Sequence, residues 1–191
     1  MKTKAFCAIV GLLFLAACGP IIGGMMVAGT GVKEVTVVQG DLGDLRPGSQ
    51  VVVLGPFDKA PEAFYICRGE EAANFANTFN EAGLFKAELS LSTRFPDQPP
   101  KASDWQGQTP ASVQANLNLN RQPEMVIGGT ILKREMVAAP TQGVIMSVVY
   151  QLDFLNLTNG KMTSVQVVVK ELFQNAIPET VNELSHLIKA R

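Results

Sequence analysis

Apolar positions recur along this chain with two different periods, and the places where the period changes mark its elements. Phe85, Ala87, Leu89 and Leu91 alternate with Lys86, Glu88, Ser90 and Ser92, the two-residue repeat of a half-buried strand. The alternation is longer over residues 144–157, where Val144, Met146, Val148, Tyr150, Leu152 and Phe154 share one face. Thr158-Asn159-Gly160 follows with the Asn-Gly pair of a tight hairpin, and Thr163, Val165, Val167 and Val169 supply the returning strand. Residues 50–54 form an unbroken β-branched run, which predicts a strand covered on both faces. Residues 125–132 read as a strand interrupted by Gly128-Gly129, a pair that marks a bulge or a close backbone approach. A short edge strand is predicted over residues 35–38, and a hairpin loop over residues 134–143.

The period then shifts to that of a helix. Ala72, Phe75, Ala76 and Phe79 fall on one stripe of a helix predicted over residues 70–82. Glu70 and Glu71 occupy its first turn, where the macrodipole favours carboxylates, and Gly83 stands at the C-terminal cap. Pro110 opens a short helix through Leu117 with Thr109 as its cap. Pro178 opens a last helix with Ile177, Val181, Leu184 and Ile188 on one stripe. The order β-α-β-α-β-β-β-α implies an α+β fold: a single mixed sheet of about five strands, with two to three helices mainly on one face. The domain is placed at residues 49–191.

What precedes it has a different character. Lys2 and Lys4 lead into the apolar residues 5–17, which end in Leu15-Ala16-Ala17-Cys18. A basic start, a short apolar core and small residues before the break are the layout of a secretory signal. The core is too short to span a bilayer as a helix, which needs ~20 apolar residues. The chain carries no charge between Lys4 and Lys33, so an uncleaved anchor is the competing reading. Gly19, Pro20, Gly23, Gly24, Gly29 and Gly31 interrupt the second half of that run and weigh against a helix. Residues 18–48 are read as a glycine-rich apolar tether. Its Ile21, Ile22, Met25, Met26 and Val27 could pack on the domain's own surface, against lipid, or between subunits.

Charge and chemistry narrow the function by exclusion. Charged residues are 17% of the chain, and Val, Ile and Leu are plentiful, which argues against disorder. The formal net charge is −1, and loss of Lys2 and Lys4 with the signal makes it more negative, so nucleic acid is not an expected partner. The 3 cysteines are Cys7, Cys18 and Cys67, of which Cys7 would leave with the signal. Cys67 reads as a small buried hydrophobe, and the 1 histidine, His186, as a surface residue on the last helix. No phosphate-binding loop, HExxH or CxxC occurs, so neither a catalytic residue, a metal site nor a cofactor is assigned. Glu70 and Glu71 point about 100° apart on a helix and do not converge on one atom. Asp153 shares a face with Ser147 and Gln151 and is expected to face solvent. Phe95 and Trp105, in a proline-rich loop, are candidate partner contacts, with Trp105 folded back over the sheet as the alternative.

Leu15, Ala16, Ala17 and Cys18 resemble the lipobox of bacterial lipoproteins, with Leu at −3, Ala at −2 and −1, and Cys at +1. That resemblance implies cleavage before Cys18 and acyl chains on its thiol and amine. Gly19, in place of an inner-membrane Asp, implies the outer membrane. The domain in turn resembles the amino-terminal domain of TolB and the lipoproteins LpoB and CsgG. The residues that carry this are Val51-Val52-Val53-Leu54-Gly55-Pro56-Phe57, Gly83-Leu84-Phe85, residues 126–131 and residues 149–154 with their Asn-Gly turn. The resemblance implies a non-enzymatic, lipid-anchored envelope protein facing the periplasm, which binds a protein partner or copies of itself. The alternatives are a ring-forming or secretion-channel-associated subunit of CsgG type and, further off, an envelope hydrolase.

Overall fold

The computed structural model describes residues 26–66, 69–92 and 99–190. It is an α+β fold built on one mixed, open sheet. The strands are β1 (Gly31–Gln39), β2 (Gln50–Gly55), β3 (Asp58–Lys59), β4 (Lys86–Leu91), β5 (Met125–Ala139), β6 (Gly143–Asn156) and β7 (Met162–Leu172). The helices are α1 (Glu71–Glu81), α2 (Pro110–Leu117) and α3 (Ala176–Lys189). The strand order is β1-β7-β6-β5-β2-β4, with β3 pairing β5 beyond the end of β2. β2 runs parallel to both β4 and β5, and β5, β6, β7 and β1 form an antiparallel run.

Helices α1 and α3 cover one face. Their stripes, Phe75 and Phe79 on α1 and Val181, Leu184 and Ile188 on α3, close over Val148, Tyr150, Leu152, Phe154, Val165, Val167 and Val169. Aromatic rings form its centre: Phe75 meets Tyr150 edge-on at 5.1 Å, and Phe79 meets Phe85 at 5.3 Å. The opposite face is covered only in part. There α2 and the turn before it pack Val113, Ala102 and Leu119 onto Val52, Leu54, Val126 and Leu155. The rest of that face is half-buried or exposed and mixed in character, with Val149, Gln151 and Asp153 on β6 and Gln166, Val168 and Lys170 on β7. Asp153, expected to face solvent, is half-buried there and accepts a hydrogen bond from Gln151 Nε2 at 3.2 Å.

Two strands exceed their predicted lengths. The strand at residues 35–38 extends over Gly31–Gln39 and forms one edge of the sheet against β7. Residues 134–139, predicted as loop, continue β5 and pair with β6 up to Ala139↔Gly143, leaving only residues 140–142 as the turn. Charged residues at 133–135 hid that continuation, because the bulge between Ile131 and Lys133 shifts the alternation and puts Arg134 rather than an apolar residue on the helix-covered face. β1 and the two-residue β3 bring the sheet to 7 strands, against about five expected.

The glycine pair proves to be a close approach on both faces. The Phe57 ring lies directly over Gly129, leaving no room for a Cβ. From the other side, the Ala102 backbone nitrogen comes within 2.9 Å of where a Gly128 Cβ would sit. The bulge falls instead between Ile131 and Lys133. Gly83 follows α1 with φ +59°, the left-handed geometry its capping role requires.

Candidate functional site

The bulge at Leu132 decides what the helix-covered face contains. A strand alternates faces every residue, so one inserted residue inverts the side of everything after it. Ile131 pairs with Tyr150 on the helix side, and after the bulge Arg134 pairs with Val148 on that same side. A long cation is thereby driven under α1. Glu71, in the first turn of α1, meets it there with Oε1 at 2.8 Å from Arg134 Nη1. Both side chains are deeply buried, at 3% and 7% exposure for Arg134 and Glu71. Glu71 thus does more than offset the helix dipole: it fixes the start of α1 to β5. The sequence signal was available only in hindsight, as a charged residue on the α1 stripe beside Ala72 and Phe75.

Above this pair lies a cleft of about 390 Å³ between α1 and the start of α3. Glu71, Arg134, Met146 and Tyr150 form its floor, and its walls carry exposed polar side chains, Glu70, Asn74, Asn77 and Glu81, with Phe173 at one end. A second hollow of about 310 Å³ shares Phe173 and Gln174 and opens onto Met136, Gly143 and Val144 at the β5–β6 turn. The walls can hydrogen-bond a polar ligand, but the floor carboxylate is already engaged by a guanidinium, which leaves it poorly placed for acid–base work.

The outer edge of β4 is occupied from within. Asn80 of α1 donates to the Ala87 carbonyl and accepts from the Ala87 N–H, each at 2.9 Å. Side-chain pairing of this kind blocks another strand from docking at that point. The β1 edge carries bulges at residues 32–34 and 37–39, and Val37 and Val38 are exposed on it.

The sequence-assigned site residues are not brought together. Leu15, Ala16, Ala17, Cys18, Cys67 and Phe95 lie outside the described residues. Trp105 is half-buried and packs beside the Val52, Leu54 and Leu155 cluster, on the face opposite the cleft. His186 is exposed on α3, as expected. Among the described residues, no group of three or more His, Cys, Asp or Glu is placed to hold a metal ion, and no helix is long and apolar enough to cross a membrane.

No family model matches this chain, and no curated protein does. Solved structures are similar to this chain at low sequence identity. A point variant of PelC from Paraburkholderia phytofirmans, a dodecamer, is 15% identical, covers 83% of this chain and 99% of its own, and has a TM-score of 0.50. A second PelC dodecamer from the same organism is 16% identical over 82% of this chain and 92% of its own, with a TM-score of 0.44. The hypothetical protein CT253 of Chlamydia trachomatis is 11% identical over 75% of this chain and 99% of its own, also at 0.44. The likeness to the first is one of fold.

Proposed function

We propose that this chain is a lipid-anchored accessory protein of the bacterial cell envelope, held in the outer membrane by acyl chains on Cys18 and facing the periplasm. It works by binding a protein partner rather than by catalysis. The observation that carries this reading is the lipobox Leu15-Ala16-Ala17-Cys18 behind a basic start and an apolar core. One acyl chain anchors only marginally at about 0.8 kcal/mol per buried methylene, and three on one residue anchor durably. The fold offers surfaces that suit binding: a polar-walled cleft, a half-covered sheet face and an open β1 edge. The TolB, LpoB and CsgG likeness of the domain belongs to the same proposal.

Self-association is the second reading, and one observation favours it: the PelC structure that shares this fold is a dodecamer. Head-to-tail contact between copies closes into a ring when the rotation permits, and the β1 edge is the one left open to it. Growth with alkyne-tagged palmitate tests the anchor. Label is expected on the natural chain and lost in Cys18→Ser; normal labelling of that variant contradicts the proposal. Native mass measurement of the detergent-solubilised protein tests assembly, and monomer alone opposes the second reading.

A further inference from the structure

The two ends of the sheet differ in chemistry, and the chain enters the fold at the apolar one. At one end, around the β6–β7 turn, Lys161 pairs with Asp44 at 3.0 Å and Glu124 accepts from Ser49. At the other end Ile145↔Leu172 is the last ladder pair of β6 with β7, the Phe173 N–H still reaches the Val144 carbonyl at 2.8 Å, and the β5–β6 turn at residues 140–142 lies beyond. Residues 136–152 carry no charge, and neither do residues 172–178 beside them. Val137 is 53% exposed and Phe173 46%, with Met136 and Val144 also open to solvent on the opposite side of the hairpin from Val137. Exposed apolar residues on both sides of one tip make a patch that calls for an occupant.

Register places the chain's entry beside that patch. Gly31, the first residue of β1, pairs with Lys170, which pairs with Ser147. β1 runs away from Leu172, Phe173 and the hairpin tip, so the described residues 26–30 precede it at that end of the sheet. Residues 18–30 are uncharged and can reach at most ~40 Å at ~3.3 Å each. Exposed Lys33, Lys133 and Lys170 stand just behind the tip, where they can meet anionic headgroups. Glu135 bridges Lys133 at 2.8 Å, Lys33 Nζ donates to the Thr30 carbonyl at 3.1 Å, and Glu171, one residue nearer the tip than Lys170, is buried and accepts from the Leu172 N–H; among the described residues Lys33 and Lys170 are not bonded to a carboxylate.

We propose that the β5–β6 hairpin end, with Val137, Val144 and Phe173, seats in the interface of the lipid bilayer that holds the acylated Cys18. The domain then stands end-on, with the hairpin tip in the headgroup region and the Asp44–Lys161 end pointing away. Apolar elements lying in the interface bury ~5–10 Å deep, which matches a tip rather than a spanning hairpin. This inference rests on the lipid-anchor reading.

The test uses the full-length acylated protein with Cys67→Ser, carrying a single environment-sensitive label at Val137→Cys, at Val144→Cys or at Asn159→Cys. Each is reconstituted into phosphatidylethanolamine/phosphatidylglycerol vesicles with nitroxide lipid. Quenching of roughly twofold is expected at 137 and 144 and none at 159, because only the first two enter the interface. A protein carrying no acyl group overturns the anchor reading and the inference with it. An acylated protein whose three labels are equally shielded from nitroxide lipid overturns the inference alone. A blue shift at 137 and 144 without lipid quenching means that a second copy or residues 19–25 cover the tip, and overturns it as well.

Discussion

Replacing Arg134 by Met isolates the consequence of driving a cation under α1. Met keeps most of the aliphatic volume and removes the charge, so packing around Tyr150 and Val148 changes little. The Glu71 carboxylate, 7% exposed, then loses its partner at Oε1, and its Oε2 makes no hydrogen bond to compensate. Removing one member of a buried pair costs about 3–5 kcal/mol, because the survivor is left charged without water or a counter-ion. That is a large share of the ~5–15 kcal/mol by which a domain of this kind is stable. Urea unfolding followed by circular dichroism measures it, with a loss of about 10 °C in melting temperature as the thermal counterpart. The double variant Glu71→Leu/Arg134→Met is the control. Both charges are gone, and its stability is expected within about 1 kcal/mol of the natural chain or above it. The two substitutions should therefore couple by about 2 kcal/mol or more. A loss below about 1 kcal/mol in the single variant would refute the reasoning, since it would mean that Glu71 reaches water in the folded protein.

Three further outcomes follow from the same geometry. Gly129→Ala drives a methyl into the Phe57 ring and should cost more than about 2 kcal/mol, with part recovered in Gly129→Ala/Phe57→Leu, measured by the same unfolding. Asn80→Ala frees the Ala87 N–H and carbonyl on the β4 edge; it should cost about 1–2 kcal/mol and raise concentration-dependent association in light scattering, and unchanged scattering would show that the edge is protected by something else. Gly83→Ala must hold φ near +59° and should lose about 1 kcal/mol, whereas equal stability would mean that the cap can relax.

The core was legible because its periods were clean. The alternation from Val144 to Phe154, the Asn-Gly turn and the stripes of α1 and α3 each specify one face, and the same residues form the buried cluster. Gly128-Gly129 was legible as a bulge or a close approach; the structure makes it a close approach on both faces and puts the bulge after Ile131. The cleft and its ion pair were hidden for a specific reason. Arg134 reaches the interior only because of the bulge at Leu132, and a bulge leaves no periodic trace in residues that are already mixed in polarity. Lys133, Arg134 and Glu135 therefore read as the start of a loop. Glu71 looked like an ordinary first-turn carboxylate because its partner lies on a strand far along the chain. Trp105 was ambiguous in sequence between a contact residue and a cover for the sheet, and it lies half-buried against the second cluster.

The sheet's polarity from end to end was likewise invisible in sequence. It depends on register, which sets Gly31, Lys170 and Ser147 at one level and carries the hairpin tip beyond them. Only then do two separate uncharged segments, residues 136–152 and 172–178, fall at the place where the apolar tether enters.

The most direct test of the account is the intact mass and N-terminal peptide of the protein extracted from bacterial membranes. The account predicts a chain that begins at Cys18 and carries acyl chains on that residue, with residues 1–17 gone. A chain that retains Met1, or one cleaved elsewhere with an unmodified Cys18, would contradict it.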